Sequence, residues 1–392
     1  MSERVALLTG GGDKPYALGM AMALSSAGTS LDLIGSDDLE VPELLNDPQI
    51  RFLNLRGDQR PESSVGQKLL RVTAYYMRLL RYAATAEPRI FHLLWNNKLQ
   101  FFDRTFLMLY YKALGKKVTF TVHNVNAGER DANDNWLNRF SLRTQYQLVD
   151  HLFVHTEKMK RELVSGFAVP PDRVSVIPFG INNTVPNTDL STAQAKKKVG
   201  VKETDRTMLF FGNIAPYKGL DDLVAAFIQL AKEEADYRLL IVGRPKHDQG
   251  YWRRIDEMIT RSEVRDRIRK TIEYVPDEDT ELYFKAADVL ILPYTHVFQS
   301  GVLFLGYGFG LPAIATDVGS LREEIVEGET GFIARPRDPS DLARVIRRYF
   351  ESDLYRNLTA RRARIRAYAN DRYSWDKVAG IAMSVYSNLL AA

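Results

Sequence analysis

A chain of 392 residues is longer than one hydrophobic core of about 100 to 200 residues accommodates, so the sequence predicts two domains. The net charge of +4 suits an anionic ligand but is too small to indicate nucleic-acid binding, and the lack of cysteine excludes disulfides and thiolate zinc sites. The six histidines do not have the spacing of metal ligands, so no metal site is predicted.

The start of the chain and the length of its apolar runs indicate where in the cell the protein is expected to lie. Ser2–Arg4 leads into an apolar run that is too short for the core of a secretory signal. No stretch reaches the roughly 20 apolar residues of a membrane span. We therefore expect a cytoplasmic protein.

Short apolar strands alternate with helical segments in the first half. The strand Val5–Thr9 runs into the glycine turn Gly10–Gly12, and a helix of small residues follows around Ala17–Ala27. This turn does not have the G-x-G-x-x-G spacing of a dinucleotide-binding dehydrogenase. Further strands are predicted at Leu31–Ile34, Ile90–Leu94, Lys117–Val122, His151–Val154 and Val174–Ile177.

The second half repeats this order. The strand Met208–Phe211 runs into Gly212 and Asn213, and a helix follows from about Leu220 to Lys232. Further strands are predicted at Arg238–Val242, Ile272–Tyr274, Val289–Leu292 and Ala313–Ala315. The alternation predicts an α/β protein with two Rossmann-like domains of parallel strands, 1–184 and 185–371, whose boundary lies in the polar stretch 182–191.

Two segments of the second half suit an anion. After the Gly212 turn, Lys218 places a positive charge just before a helix, as a diphosphate requires; the alternative is an ordinary solvent-exposed lysine. Gln299, Ser300 and Gly301 precede the helical run Val302–Phe309. We expect Ser300 to cap that helix, whose N–H groups also suit a phosphate.

Several segments, taken in order, resemble the family 4 glycosyltransferases over nearly the whole chain. These segments are Val118–Asn124, Val174–Asn182, Lys218-Gly219, Leu239–Gly243, Ala286–Pro293, Gly310–Thr316, Gly328–Gly331 and Tyr373–Trp375. The resemblance implies the GT-B fold, with two Rossmann-like domains that face each other across a cleft. It also implies a last helix, within 372–392, that crosses back onto the first domain.

The resemblance further implies a function. A hexose-type sugar passes from a UDP- or GDP-sugar to a saccharide or lipid-linked acceptor, with retention of configuration and no bound metal, in bacterial polysaccharide or glycoconjugate synthesis. His123 and Lys218 are the predicted catalytic residues, and Asp13 and Lys14 are predicted to touch the acceptor. The predicted donor-binding residues are Gly11, Gly12, Gly212, Asn213, Lys218, Arg244, Tyr274, Val275, Gln299, Ser300, Gly301 and Val302.

The sequence departs from the family pattern at three positions. Val297 and Leu305 stand where the family carries two glutamates that contact sugar and ribose, and Asn213 replaces an arginine whose charge Arg244 restores. Alternatives therefore stay open: a GT-B nucleotide-sugar epimerase, a sugar phosphorylase, or a catalytically silent sugar-nucleotide-binding protein. We interpret His92, His151 and His155 as structural.

The region from Arg60 to Phe120 carries eleven basic and three acidic residues. Large apolar and aromatic side chains interleave with them. Such segments bind anionic membrane surfaces, so docking of the first domain on the inner face of the cell membrane is predicted. The alternative is two ordinary helices whose basic faces lie in water.

Overall fold

The computed structural model describes residues 4–58, 65–130, 134–181, 185–246 and 248–391. Two compact units make up the chain: the first takes Met1–Gly180 together with Tyr373–Ala392, and the second takes Ile181–Arg372. Residues 182–184 of the expected boundary stretch, and Arg60 and Glu62 of the basic region, lie outside the described residues.

The first unit is built on a seven-stranded parallel sheet. Its strands are β1 (Val5–Leu8), β2 (Leu31–Gly35), β3 (Ile50–Asn54), β4 (Ile90–Leu93), β5 (Lys117–Val122), β6 (His151–Val154) and β7 (Val174–Val176). Their order is β3-β2-β1-β4-β5-β6-β7. Six strands agree with the sequence prediction. The prediction missed β3, because this edge strand buries only Ile50 fully and has no continuous apolar run.

Helices cover both faces of this sheet, which is why every residue of β1, β4 and β6 is buried. Numbered in chain order, the helices of the first unit are α1 (Lys14–Ser26), α2 (Pro42–Leu45), α3 (Val65–Thr85), α4 (Gln100–Phe102), a π-helical turn (Asp103–Leu107), α5 (Met108–Ala113), α6 (Ala127–Arg130), α7 (Trp136–Leu148), α8 (Glu157–Phe167) and α18 (Trp375–Ala391). Over the part of the chain that is described, no helix combines the length and apolar character needed to cross a membrane.

The second unit contains a six-stranded parallel sheet of order β10-β9-β8-β11-β12-β13. Its strands are β8 (Arg206–Phe211), β9 (Tyr237–Val242), β10 (Ile268–Thr271), β11 (Val289–Leu292), β12 (Ala313–Thr316) and β13 (Gly331–Ala334). Its helices are α9 (Thr192–Lys198), α10 (Leu220–Glu233), α11 (Gln249–Arg261), α12 (Asp277–Ala286), α13 (Gly301–Gly308), α14 (Leu321–Glu324), α15 (Pro339–Glu351), α16 (Asp353–Arg356) and α17 (Leu358–Arg372).

The sequence prediction is wrong at the two edge strands of this sheet, β10 and β13. The strand expected at Ile272–Tyr274 is wrong: β10 ends at Thr271, and Tyr274 is exposed just beyond it. Only Ile268 of β10 is fully buried, so the strand has little apolar signal. The prediction also missed β13, whose four residues begin with a glycine. Edge strands are less completely buried by neighbouring elements, so their sequences show a weaker apolar pattern.

The helix α18 packs on the first unit. The Trp375 ring lies directly against the backbone of Gly19 in α1 and against Gly180, where any Cβ would collide with it. Farther along α18, the Tyr386 hydroxyl lies 2.5 Å from Nδ1 of His92 in β4. The last helix is therefore part of the hydrophobic core of the first unit.

A buried ion pair joins α9 to the sheet of the second unit. Lys196 Nζ lies 2.9 Å from Asp288, which also accepts from the Thr207 backbone N–H at 2.8 Å. Burial raises the pKa of Asp288, and the nearby Lys196 ammonium opposes that rise. Lys196 also donates to the backbone carbonyl of Asp205 at 2.6 Å.

We expect Lys196→Met to destabilise the second unit by about 3 to 5 kcal/mol, because it leaves a carboxylate buried without its counter-charge. Urea denaturation followed by circular dichroism measures the change. Lys198→Met is the matched control, since Lys198 lies exposed on the same helix. Equal stability of the two variants would contradict a structural role for the pair.

Candidate functional site

In the first unit, the glycine turn after β1 lies under an aromatic side chain. Gly10 and Gly11 have φ of 59° and 73°, a region that side chains rarely adopt. A Cβ on Gly10 would collide with the Trp95 carbonyl, and a Cβ on Gly12 with the Trp95 ring. Asp13, predicted to touch the acceptor, caps α1 by accepting from the Tyr16 N–H at 2.9 Å. The other predicted acceptor residue, Lys14, is exposed at the start of α1.

His123, at the end of β5, is enclosed by aromatic rings. It stacks on Trp95 at 4.1 Å between centroids, and the Tyr16 ring meets it edge-on at 4.8 Å. Its Nδ1 lies 2.9 Å from Nε2 of His155, which follows β6. Burial, together with the neighbouring histidines, lowers the pKa of His123 well below its usual value. The imidazole is therefore neutral at neutral pH.

The hydrogen bonds fix which nitrogen of His123 carries the proton. His155 Nδ1 lies 3.1 Å from the Ile177 carbonyl, which only accepts, so this nitrogen is protonated. Burial lowers the pKa of His155 to about 4, so the ring is neutral and its Nε2 accepts the proton of His123 Nδ1. That leaves His123 Nε2 as the unprotonated nitrogen, buried without a well-formed hydrogen bond to any described residue. The Leu94 carbonyl interacts with the same ring and opposes the lowering of its pKa by burial. His155, interpreted as structural from the sequence, thus sets the tautomer of the candidate catalytic histidine.

In the second unit, Lys218 is buried beside the turn after β8, so the solvent-exposed alternative is wrong. Its Nζ lies 2.9 Å from the Tyr294 hydroxyl and 3.6 Å from where a Cβ of Gly212 would stand. The turn Pro216–Lys218 places Lys218 here. The turn ends at Gly219, whose φ of 62° lies in the left-handed region. A Cβ on Gly219 would collide with the Pro293 carbonyl, so only glycine fits.

Tyr294 links Lys218 to the start of α13, because its hydroxyl lies close to both Lys218 and Ser300. The Ser300 hydroxyl lies 3.3 Å from the Tyr294 hydroxyl. Ser300 holds the N-cap position, but its side chain caps no helix N–H, so the expected capping bond is wrong. Val302 lies beside Gly212, 3.5 Å from the position of its missing Cβ. The predicted residues Gly212, Lys218, Ser300 and Val302 therefore come together, with Gly301 between the last two.

Polar atoms with unsatisfied hydrogen-bonding capacity lie just before α13. Both amide atoms of Gln299 and Nε2 of His296 are buried and have no hydrogen-bond partner among the described residues. Leaving such a group unpaired costs about 1 to 3 kcal/mol, which a ligand hydroxyl would recover. Sequence reasoning missed His296, which has no helical or metal-ligand spacing to mark it.

Arg244 lies next to the Gly212 turn. Its carbonyl accepts from the Ile214 N–H at 2.8 Å, and its guanidinium lies 5.3 Å from the centre of the Tyr274 ring. Tyr274 is 63% exposed, so its ring presents a flat apolar surface beside the cation. Val275 is half-buried next to it, and Asn213 is exposed on the turn itself.

Sequence reasoning also missed Tyr294. This residue is 1% exposed, contacts both Lys218 and Ser300, and follows directly on Leu292-Pro293 at the end of β11. A tyrosine at the carboxyl end of a buried strand was the available signal. Elsewhere, Leu305 is buried in α13. Among the described residues, no group of histidines and carboxylates is arranged to hold a metal ion.

The basic region carries an exposed apolar surface, to which some but not all of its large side chains contribute. Tyr75, Tyr76 and Leu79 of α3 point into the core. Other large side chains of α3 to α5 are exposed, and α7, outside the predicted region, adds more. The exposed set, here called the helical apolar surface, is Leu69, Leu70, Met77, Phe101, Phe106, Leu109, Trp136, Leu137 and Phe140.

Family models match both halves of the chain. One described as Glycosyltransferase Family 4 matches residues 10–184, and one described as Glycosyl transferases group 1 matches residues 191–372.

Curated relatives of the chain carry the name D-inositol 3-phosphate glycosyltransferase. That of Corynebacterium efficiens is 27% identical over 255 residues, 63% of this chain and 59% of the relative. That of Acidothermus cellulolyticus is 29% identical over 248 residues, 62% of this chain and 54% of the relative. The chain thus spans little more than half the length of these relatives.

Solved structures match over almost the whole chain. Sucrose-phosphate synthase from Thermosynechococcus elongatus has a TM-score of 0.78 at 18% identity and covers 99% of both chains. Anabaena HepE, solved in complex with UDP, has a TM-score of 0.74 at 15% identity over 99% of this chain and 100% of its own. At such identity these neighbours establish the fold, which is GT-B. Together with the family matches over both units, they place the chain among the family 4 glycosyltransferases.

Proposed function

We propose that the chain transfers a hexose-type sugar from a UDP- or GDP-sugar to a saccharide or lipid-linked acceptor in bacterial polysaccharide or glycoconjugate synthesis, with retention of configuration and without a bound metal. Family membership supports glycosyl transfer, and UDP or UDP-glucose in the HepE structures supports a nucleotide-sugar donor. The observation that carries the proposal is the group formed by Gly212, buried Lys218 and the uncapped start of α13.

Those residues suit the diphosphate of the donor. Lys218 supplies a positive charge in a site where little water screens it, and the N–H groups at Gly301 and Val302 point out of the helix start. Arg244 adds a second cation beside the turn. Such groups stabilise the negative charge that grows on the leaving diphosphate in the transition state. The departing phosphate then takes the proton of the acceptor hydroxyl.

The reacting sugar requires hydrogen-bonding groups of its own. His123 Nε2 is an acceptor and suits a sugar hydroxyl as the donor. Gln299 both donates and accepts, and it replaces part of what a carboxylate at Val297 would supply. We infer that His123 of the first unit and Gln299 of the second unit each bind a hydroxyl group of a sugar substrate.

The first experiment incubates the full chain with a panel of UDP- and GDP-sugars and measures the release of nucleoside diphosphate. Proton NMR of any product then gives the anomeric configuration, which we expect to match that of the donor. Tight nucleotide binding without release would favour a silent binding protein. Conversion of the donor to its epimer would favour an epimerase.

We also propose that the activity takes place on the inner face of the cell membrane. The three helical segments that carry the helical apolar surface lie side by side: the Tyr110 hydroxyl donates to the Leu80 carbonyl at 3.1 Å, and Arg104 donates to Asn138 at 2.9 Å. Trp136 is 78% exposed, and Leu70 is 73% exposed. Apolar groups beside a surplus of basic residues are typical of proteins that dock on anionic lipid.

The double variant Trp136→Ser/Phe140→Ser should lose most of its binding to anionic vesicles, because both side chains enter the lipid interface. Sedimentation with anionic and neutral vesicles at low and high salt measures it. The electrostatic part should fade with salt, since charges are screened within about 10 Å at 0.1 M. Leu45→Ser, at a leucine of α2 that is 55% exposed, is the control. Binding to neither vesicle type would contradict the proposal.

A further inference from the structure

Tyr294 lies between the two parts of the candidate site in the second unit. It follows Pro293 just beyond β11 and is 1% exposed. Its hydroxyl lies 2.9 Å from Lys218 Nζ and 3.3 Å from the Ser300 hydroxyl. The Thr316 hydroxyl, at the end of β12, donates to the Tyr294 carbonyl at 2.5 Å. The phenol oxygen is therefore held in place from the ends of two neighbouring strands.

The chemistry of Lys218 fixes the direction of its bond to Tyr294. An ammonium group donates hydrogen bonds and accepts none, so the lysine donates and the phenol oxygen accepts. The proton of the phenol must then point away from the ammonium. Among the described residues, the Ser300 hydroxyl is the other polar group within hydrogen-bond distance of the Tyr294 hydroxyl. Tyr294 thus donates to Ser300.

The opposite direction would leave a buried proton without an acceptor. If Ser300 donated, the Tyr294 oxygen would accept from both of its neighbours. The phenol proton would then have no acceptor in the part of the chain that the structure describes. Because Tyr294 is almost completely buried, water does not replace that acceptor easily, and an unpaired buried donor is costly. The order Lys218 to Tyr294 to Ser300, here called the hydroxyl relay, avoids this cost.

The proton of Ser300 is the free end of the hydroxyl relay. Ser300 holds the N-cap position of α13, but its side chain accepts from no N–H of that helix. No described residue accepts its proton either. The N–H groups of Gly301 and Val302 belong to the same helix start, where an anion is stabilised. With the relay in this direction, Ser300 presents a proton beside them. In the opposite direction it would present a lone pair, which repels an anion.

We propose that Tyr294 is a positioning residue that orients the Ser300 hydroxyl as a hydrogen-bond donor to the diphosphate of the sugar donor. This inference rests on the proposed function for the presence of a diphosphate. Lys218 polarises the Tyr294 O–H, and Tyr294 in turn polarises the Ser300 O–H, because hydrogen bonds that run in one direction strengthen one another. Part of the effect of the lysine charge thereby reaches the start of α13.

Calorimetry of the full chain with UDP and with GDP measures diphosphate binding. For the nucleotide that binds more tightly, Tyr294→Phe and Ser300→Ala should each weaken binding about tenfold, because each removes the oriented donor. Independent hydroxyls would give a loss of about a hundredfold in the double variant, whereas a relay keeps that loss near tenfold. Ser300→Thr retains the hydroxyl and should bind within about threefold of the unaltered chain.

Tyr307→Phe is the matched control. It removes the hydroxyl of another buried tyrosine, in α13, which donates to the Glu324 carbonyl instead. Its nucleotide binding should be unchanged. Equal affinity of the Tyr294→Phe and Tyr307→Phe proteins would overturn the proposal. So would losses that multiply in the double variant, because Tyr294 would then act through Lys218 alone.

The direction of the hydroxyl relay is measured without a ligand. In protein labelled with carbon-13 at the tyrosine Cζ, the deuterium isotope shift in NMR reports how fast each hydroxyl proton exchanges with water. The Tyr294→Phe protein identifies the resonance of Tyr294. We expect exchange there to become about tenfold faster or more in Ser300→Ala, because the proton loses its acceptor. Equal rates in the unaltered and Ser300→Ala proteins would overturn the proposal, since a purely structural role of Tyr294 predicts no change.

The failure of the hydroxyl relay and the failure of the proposed function give different results. Release of nucleoside diphosphate from UDP- and GDP-sugars by the unaltered chain tests the function alone. A chain that releases none, but shows the exchange effect and binds inorganic pyrophosphate through the Ser300 hydroxyl, keeps the role of Tyr294 and loses the proposed function. A chain that releases nucleoside diphosphate, but binds UDP, GDP and pyrophosphate equally well as the Ser300→Ala protein, keeps the function and loses the role of Tyr294.

Discussion

Replacing Lys218 by alanine should lower the rate of sugar transfer by about a hundredfold to a thousandfold, the usual effect of removing one group that stabilises transition-state charge. Lys218 is buried beside Gly212 and bonded to Tyr294, so no neighbouring water replaces its charge easily. The purified variant is assayed at saturating donor, and circular dichroism checks its fold.

Two variants separate the charge of Lys218 from its packing. Tyr294→Phe removes the hydroxyl that holds the ammonium but keeps the ring, and we expect a smaller loss of rate. Lys232→Ala removes an exposed lysine of α10 and should leave transfer unchanged. Near-normal turnover in Lys218→Ala would show that the diphosphate is neutralised elsewhere, with Arg244 the next residue to replace.

His123→Ala should reduce turnover far more than donor affinity, because its proposed contact is with the reacting sugar rather than with the nucleotide. Turnover at saturating donor and nucleoside diphosphate binding by calorimetry measure the two separately. His151→Ala, at a histidine that contacts Ser175 instead, is the control. Loss of nucleotide binding with turnover preserved at saturation would make His123 a binding residue only.

The pH dependence tests the tautomer that His155 imposes. Because burial and the neighbouring histidines lower the pKa of His123, both rings stay neutral as the pH falls through 6.5. Protonation of these two imidazoles should therefore not lower the rate of sugar transfer near pH 6.5. In His155→Phe the like-charge repulsion disappears, so the pKa of His123 rises and the acid loss of activity moves to higher pH. A rate change without this shift would mean that His155 acts only through packing.

The sequence was sufficient for the architecture because buried parallel strands carry their own signal. Strands such as Lys117–Val122 and His151–Val154 are apolar runs bounded by turns, and the structure has them with the same ends. The prediction from sequence missed or misplaced the edge strands β3, β10 and β13, where burial is partial or the strand is short. The expectation that a serine before a helix caps it was wrong at Ser300, where the hydroxyl lies against Tyr294.

The sequence by itself also indicated the turn of the second unit that we propose binds phosphate, because glycine, lysine and helix start follow one another within nine residues of chain, Gly212 to Leu220. Only the tertiary structure decided which groups join them. Tyr294 meets Lys218 from 76 positions away, His155 meets His123 from 32, and Arg56 meets Gly11 from the far side of β2. These contacts depend on which strands are neighbours in the sheet. No local pattern of residues predicts that strand order.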